Sequence, residues 1–299
     1  MPPPMIALVL AHIGGPEPTG PYWTHWQLQP TVLVGVLALL AAYVWTAGPG
    51  NRRRPDAAER VVTTGQRAAF YGGLLVLLVA LGPPMDDWSD RYLLSAHMVQ
   101  HLLLTLLVPP LLLLGTPGWM LEPLARNRVT NAVGLALTRP AAAYLIANGV
   151  LILWHMPFLY DAALGSDQLH ASEHMLFLGT SLLAWWPVVG PLPAWPRLPP
   201  LGQCLYLFLW TIPGSIVGAF IVYAEPGLYA PYANARRIFG IDLATDQQVA
   251  GLLMWVATST VFLVLTSVVF FRHASREEAR DRAAMASRAA PAVVPPPRP

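Results

Sequence analysis

The sequence predicts an all-α membrane protein, a bundle of seven transmembrane helices with the N-terminus outside and the C-terminus in the cytoplasm. Three observations carry that expectation. The 299 residues are 55% hydrophobic and only 11% charged, more apolar surface than a soluble core can hide. Seven stretches are long and apolar enough to cross a bilayer, which takes about 20 residues of helix. The arginines, which supply all 18 basic residues, gather on alternate loops.

The elements follow in order. Met5 to Ile13 is apolar but short, with no basic residue before it and no clear small-residue cleavage site after it, so it does not have the form of a signal peptide. Residues 1–29 are expected to be an external interfacial segment, with Tyr22, Trp23 and Trp26 at headgroup level. The transmembrane domain, 30–272, holds spans at 30–48, 67–83, 92–115, 140–160, 169–190, 203–224 and 247–271. Between the third and fourth, residues 117–139 mix Trp119, Leu121, Leu124 and Val133 with charges, the pattern of an amphipathic helix on the cytoplasmic surface.

Several residues inside the spans have structural explanations. Pro109-Pro110, Pro157 and Pro213-Gly214 loosen helix backbones. Gly214 to Gly218 is a small-xxx-small face suited to a helix crossing. Trp185-Trp186-Pro187 resembles an interfacial anchor with a stop. Residues 273–299 turn charged and then Pro-rich, as a largely disordered cytoplasmic tail does.

Arg52, Arg53, Arg54, Arg60 and Arg67 follow the first span, Arg126, Arg128 and Arg139 the third, Arg197 the fifth, and Arg272, Arg276, Arg280 and Arg282 the seventh. The opposite loops hold Arg91, Arg236 and Arg237 among seven aspartates. The positive-inside rule then sets the orientation. A net charge of +2 with no basic stripe argues against nucleic acid as a partner. The single cysteine, Cys204, allows no internal disulfide and no CxxC motif.

Five of the eight histidines form three clusters, His97 with His101, His155 alone in Trp154-His155-Met156-Pro157, and His170 with His174, each on a different span. At about 1.5 Å rise per residue, His97 and His101 lie roughly 9 and 15 Å past Arg91, and His155 about 9 Å short of Asp161. His170 sits near the outer rim with His174 about 6 Å deeper. All five therefore fall in the outer half of the bilayer. Residues four apart share a helix face, so two helices each offer a histidine pair and the helix between them offers His155. Such clustering is costly to leave inside a membrane without a function, although single histidines also serve as polar links between helices.

A metal site is the expected role, with His97, His101, His155, His170 and His174 as candidate ligands and copper as the metal, zinc the alternative. Neutral imidazole is the ligand form, so acidification should weaken the site. Glu173 is placed to orient an imidazole. Met98, Met156 and Met175 each follow a histidine and add soft thioethers, but neighbours on a helix diverge by about 100°, which makes them accessory at most and packing residues otherwise. His12 and His25 are expected outside, solvated, and His273 on the cytoplasmic side.

His97-Met98-Val99-Gln100-His101 with Pro109-Pro110, Trp154-His155-Met156-Pro157, Glu173-His174 and Trp185-Trp186-Pro187 together resemble the CtaG family of caa-type cytochrome c oxidase assembly factors, over residues 30–272. That resemblance implies a multi-pass protein of the bacterial inner membrane. It would help to assemble a haem-copper oxidase by supplying copper to the catalytic subunit, a periplasmic copper donor being a further partner. It carries over His97, His101, His155 and His174 as motif positions, and geometry adds His170. No enzymatic step is expected.

Two other readings compete. His170-Ala171-Ser172-Glu173-His174 also fits the HxxEH pattern of zinc peptidases, with Glu173 as general base in a membrane hydrolase. A di-haem cytochrome would use facing histidines, but with ligands spread over both membrane halves.

Overall fold

The structure, a computed structural model, describes residues 21, 29–52 and 60–289, with side chains to 286. The interfacial segment expected over 1–29, with His12 and His25, lies almost wholly outside the described residues, as do 290–299 of the tail. Every described element is helical. In chain order these are α1 (Pro30–Ala47), α2 (Thr64–Ala80), α3 (Met85–Arg91), α4 (Leu94–Gly115), α5 (Gly118–Arg126), α6 (Arg128–Leu137), α7 (Pro140–Trp154), α8 (Pro157–Leu164), α9 (Asp167–Val189), α10 (Pro200–Tyr223) and α11 (Leu243–Ala286), with single turns at Pro49–Arg52 and Ala230–Ala233.

Four of these helices, the first carrying on through the Pro49–Arg52 turn, are long and apolar enough to cross a membrane: Pro30–Arg52, α4, α10 and α11. Two bent pairs, α2 with α3 at 43° and α6 with α7 at 71°, raise the number to six if each pair is one span. The fifth predicted span corresponds to α9, whose 23 residues are about 34 Å of helix. It falls short in apolarity, because Gln168, His170, Ser172, Glu173 and His174 occupy its first turns. The 117–139 segment forms two short helices, α5 and α6, with Leu124, Val129 and Val133 exposed.

The prolines act as their positions dictate. Pro109 has no N–H for the carbonyl of Thr105, and α4 widens to a π-helix over Leu103–Leu107. The indole N–H of Trp185 donates to that carbonyl instead, at 2.8 Å. Pro213 likewise leaves the Leu209 carbonyl free, and the Tyr144 hydroxyl donates to it at 3.1 Å. The predicted small-residue crossing is real: a Cβ on Gly218 would lie 2.6 Å from the Gly251 carbonyl oxygen, and one on Gly251 equally close to that of Gly218. Here α10 and α11 touch backbone to backbone.

Two of the cores among the described residues lie at opposite ends of the bundle. One gathers Trp185, Trp186, Trp210 and Phe262 where α9 ends and α10 begins. The other, at the opposite end, packs Leu94, Met98, Tyr160, Tyr229, Tyr232 and Met254 around the start of α4. At that second end Asp242 caps α11, and the backbone amide and hydroxyl of Thr245 hold its carboxyl below its ordinary value.

Candidate metal centre

The start of α4 is fixed from far along the chain. The first turn of a helix has N–H groups without partners, and here the fully buried carboxylate of Asp246 on α11 takes them, accepting from Leu94 N at 2.9 Å, Ser95 N at 3.0 Å and Ser95 Oγ at 2.6 Å. His97 stands one turn further in and His101 one turn beyond that, both buried.

The contribution of α7 is made by termination. Pro157 cannot extend α7 and opens α8, so His155 becomes the C-cap and its ring folds back, Nδ1–H donating to the Leu151 carbonyl at 2.7 Å. The Tyr229 hydroxyl holds the His155 carbonyl at 2.9 Å. Ser166 caps α9, which then presents His170, Glu173 and His174 over two turns.

These side chains meet. His97 Nε2 and His101 Nε2 are 2.8 Å apart, and His101 Nε2 is 3.6 Å from Glu173 Oε1. One ligand atom each from His97, His170 and His174 falls within 4.8 Å of the others, as does one each from His97, His101 and Glu173. The rings of His170 and His174 are 4.3 Å apart by centroid. His155 belongs to neither triplet, but its ring lies 5.9 Å from that of His101. His170 Nδ1 looks the other way, 3.6 Å from Asp90 Oδ2. The Nε2 atoms of His155, His170 and His174 are buried without a hydrogen-bond partner among the described residues.

Tautomers follow from the carbonyls nearby, which only accept. Tyr232 donates to the Ser89 carbonyl at 2.5 Å, so its oxygen receives the Nδ1–H of His97 at 3.0 Å. His97 therefore carries its lone pair on Nε2, toward His101. By the same argument His155 has its proton on Nδ1 and its lone pair on Nε2. Two histidines thus arrive with a ligating nitrogen already selected, as a metal site requires.

All five predicted histidines and Glu173 come together. The methionines divide: Met98 is fully buried in the core with Leu94 and Tyr160, Met175 is 71% exposed, and Met156 is the N-cap residue of α8. The sequence reading missed Tyr160, Tyr229 and Tyr232, Asp90 and Asp246. Tyr229 and Tyr232 sit three apart in the loop before α11, a pairing without meaning until the loop is folded. Gln247 folds it, its amide oxygen accepting from Gly227 N and Leu228 N at 3.0 and 3.1 Å while its NH2 reaches the Ile221 and Ala224 carbonyls, both at 3.1 Å.

The chain is 22% identical over 262 residues to an uncharacterized protein of Mycobacterium leprae, and 23% identical over 263 residues to uncharacterized proteins of Mycobacterium bovis and Mycobacterium tuberculosis. Each alignment covers 82% of this chain but only 38 or 39% of the relative, so the chain spans about two fifths of the length of those relatives. No solved structure matches. The family profile described as cytochrome c oxidase caa3 assembly factor matches residues 41–276, a stretch that contains every histidine of the centre. By that match the chain belongs to the cytochrome c oxidase caa3 assembly factor family, Caa3_CtaG.

Proposed function

We propose that this protein binds copper through the histidine centre and hands it to the catalytic subunit of a haem-copper oxidase during assembly. One observation carries the reading: three buried imidazole nitrogens, on His155, His170 and His174, have no partner while their rings crowd those of His97 and His101. Buried polar atoms are almost always hydrogen-bonded, so three buried imidazole nitrogens without a partner in one cluster favour a site that holds a cation. The donor set fits copper, since imidazoles suit copper and a carboxylate adjoins them. Membership of a family that assembles a cytochrome c oxidase favours copper over zinc as the cargo.

With the arginine-rich loops in the cytoplasm, the centre lies in the outer half of the inner membrane. Copper then arrives from the periplasmic side, from a donor there, and leaves by ligand exchange to imidazoles of the oxidase at similar depth. No bond of a substrate is made or broken, so the protein works without catalysis. Elemental analysis of the purified protein tests the reading. Wild type should carry copper and a His97→Ala, His155→Ala, His174→Ala variant should not; equal copper in both removes the site. Zinc in place of copper would leave the centre standing and replace the cargo.

A further inference from the structure

Six side chains able to bind a metal meet at this centre, the five histidines and Glu173. A single tetrahedral ion uses four ligands. They also divide unevenly, into two triplets that have His97 in common: His97, His170 and His174, and His97, His101 and Glu173. We propose, on the reading that the centre carries a copper ion, that one ion moves between two alternative positions by ligand exchange around His97. The first is held by His170 and His174, the second by His101 and Glu173, and His97 stays bound throughout.

Distance permits both positions. Metal–nitrogen bonds of about 2.0 to 2.1 Å put two ligands of one ion no more than about 4 Å apart. Within each triplet no pair of ligand atoms exceeds 4.8 Å, so small side-chain shifts close either one on an ion. The 2.8 Å between His97 Nε2 and His101 Nε2 is a hydrogen-bond distance, which opens to about 3.3 Å around a tetrahedral ion.

His97 makes the two positions alternatives. Its Nδ1–H is held by Tyr232, which leaves Nε2 as the ligating atom, and one lone pair serves one ion at a time. Two ions bound together would need a second donor atom from His97 that Tyr232 withholds.

The two positions draw differently on the two helices. His97 and His170 each stand one turn into their helices, His101 lies about 6 Å further along α4, and Glu173 and His174 lie about 4.5 and 6 Å further along α9. His170 is the histidine nearest the carboxylate of Asp90. As the ion changes partners it gives up His170 and His174 on α9 for His101 on α4 and Glu173 on α9. The ligand field changes with it, from three neutral imidazoles to two imidazoles and a carboxylate, with the unpartnered Nε2 of His155 beside the second position.

Cobalt(II), whose visible d–d bands report its ligands, is the probe. The full chain, purified in detergent, is loaded with Co(II) as wild type, His170→Gln, Glu173→Gln and His97→Gln. We expect one Co(II) per chain in wild type and in the first two variants. His170→Gln and Glu173→Gln should give different spectra, with wild type a weighted sum of the two, and His97→Gln should lose at least about 10-fold in affinity for both forms. If either single variant keeps the wild-type spectrum, only one ligand set exists and the proposal is wrong. Two Co(II) ions per wild-type chain also overturn it, in favour of two separate sites. Should a Gln variant not elute as the wild type does, Ala at the same position gives the comparison. Wild type that takes up neither Co(II) nor copper refutes the metal reading itself, an outcome distinct from a single spectrum.

Discussion

Tyr232 receives the Nδ1 proton of His97 at 3.0 Å although the two residues are 135 positions apart in sequence. The tyrosine is itself committed, giving its proton to the Ser89 carbonyl at 2.5 Å and lying 3.4 Å from the Tyr160 hydroxyl. The pair decides which nitrogen of His97 is offered to an ion. Tyr232→Phe keeps the ring but removes the acceptor, so His97 is free to protonate either nitrogen and to rotate. Losing such a supporting partner costs roughly 10–100-fold in metal affinity. Titration against a copper(I) chelator should show that loss beside a stability cost of roughly 1–3 kcal/mol for the buried partners of the hydroxyl, and unaltered affinity would remove Tyr232 from the centre.

Asp246 supports the same residue through the backbone. Its carboxylate takes the first N–H groups of α4 and the Ser95 hydroxyl in a fully buried setting. Asp246→Ala leaves those donors unpaired, a cost of roughly 1–3 kcal/mol. It also frees the turn that carries His97. The melting temperature in detergent and the copper affinity should therefore fall together; a drop in stability alone would mean that the cap does not position the ligand.

Trp185 isolates a purely structural contribution. Its indole N–H satisfies the Thr105 carbonyl that Pro109 abandons, in the middle of α4 and one turn past His101. Trp185→Phe keeps most of the packing in the tryptophan-rich core and removes only the donor. A loss of roughly 1–3 kcal/mol is expected, with copper content unchanged. A normal melting temperature would show that the widened π turn tolerates an open carbonyl.

How much of this was legible in sequence depends on range. Helical spacing and apolar runs are local, and they placed most helices within a few residues and brought all five histidines to one level. Glu173 joined them because it shares α9 with His170 and His174. Asp246 capping α4, Tyr232 on His97 and Tyr229 on His155 cross 152, 135 and 74 positions, and nothing in local pattern encodes such pairings. The count of spans is matched in part, four to six by length and apolarity: α9 carries the polar residues of the centre, and they lower its apolarity below that of an ordinary span. The fourth span, expected to run unbroken to 160, stops at Trp154, because Pro157 opens a separate helix.

Proton competition gives the centre a pH dependence of definite sign. A protonated imidazole has no lone pair, and the ordinary histidine range is near about pH 6.5. Apparent copper affinity should fall as the pH is lowered, since a ligand that takes up a proton can no longer hold the ion. Chelator competition repeated from about pH 8 to about pH 5 measures the slope. An affinity that rises on acidification would be incompatible with histidine ligation.

The methionines that follow three of the histidines separate packing from ligation. Met98 has no exposed surface and packs with Leu94, Tyr160 and Ile221, whereas Met175 is 71% exposed on the outside of α9. Adjacent residues on a helix point about 100° apart, so His97 facing the centre turns Met98 toward α10 and α11. Met98→Ala should then cost roughly 2–5 kcal/mol as a core truncation, and Met98→Leu, of similar volume, should restore most of it. Met175→Ala should stay within about 0.5 kcal/mol of wild type. All three variants should keep wild-type copper stoichiometry, and their X-ray absorption spectra should show no change in sulfur scattering. A copper–sulfur distance that disappears in one of them would reassign that methionine as a ligand, and with it the softness of the site.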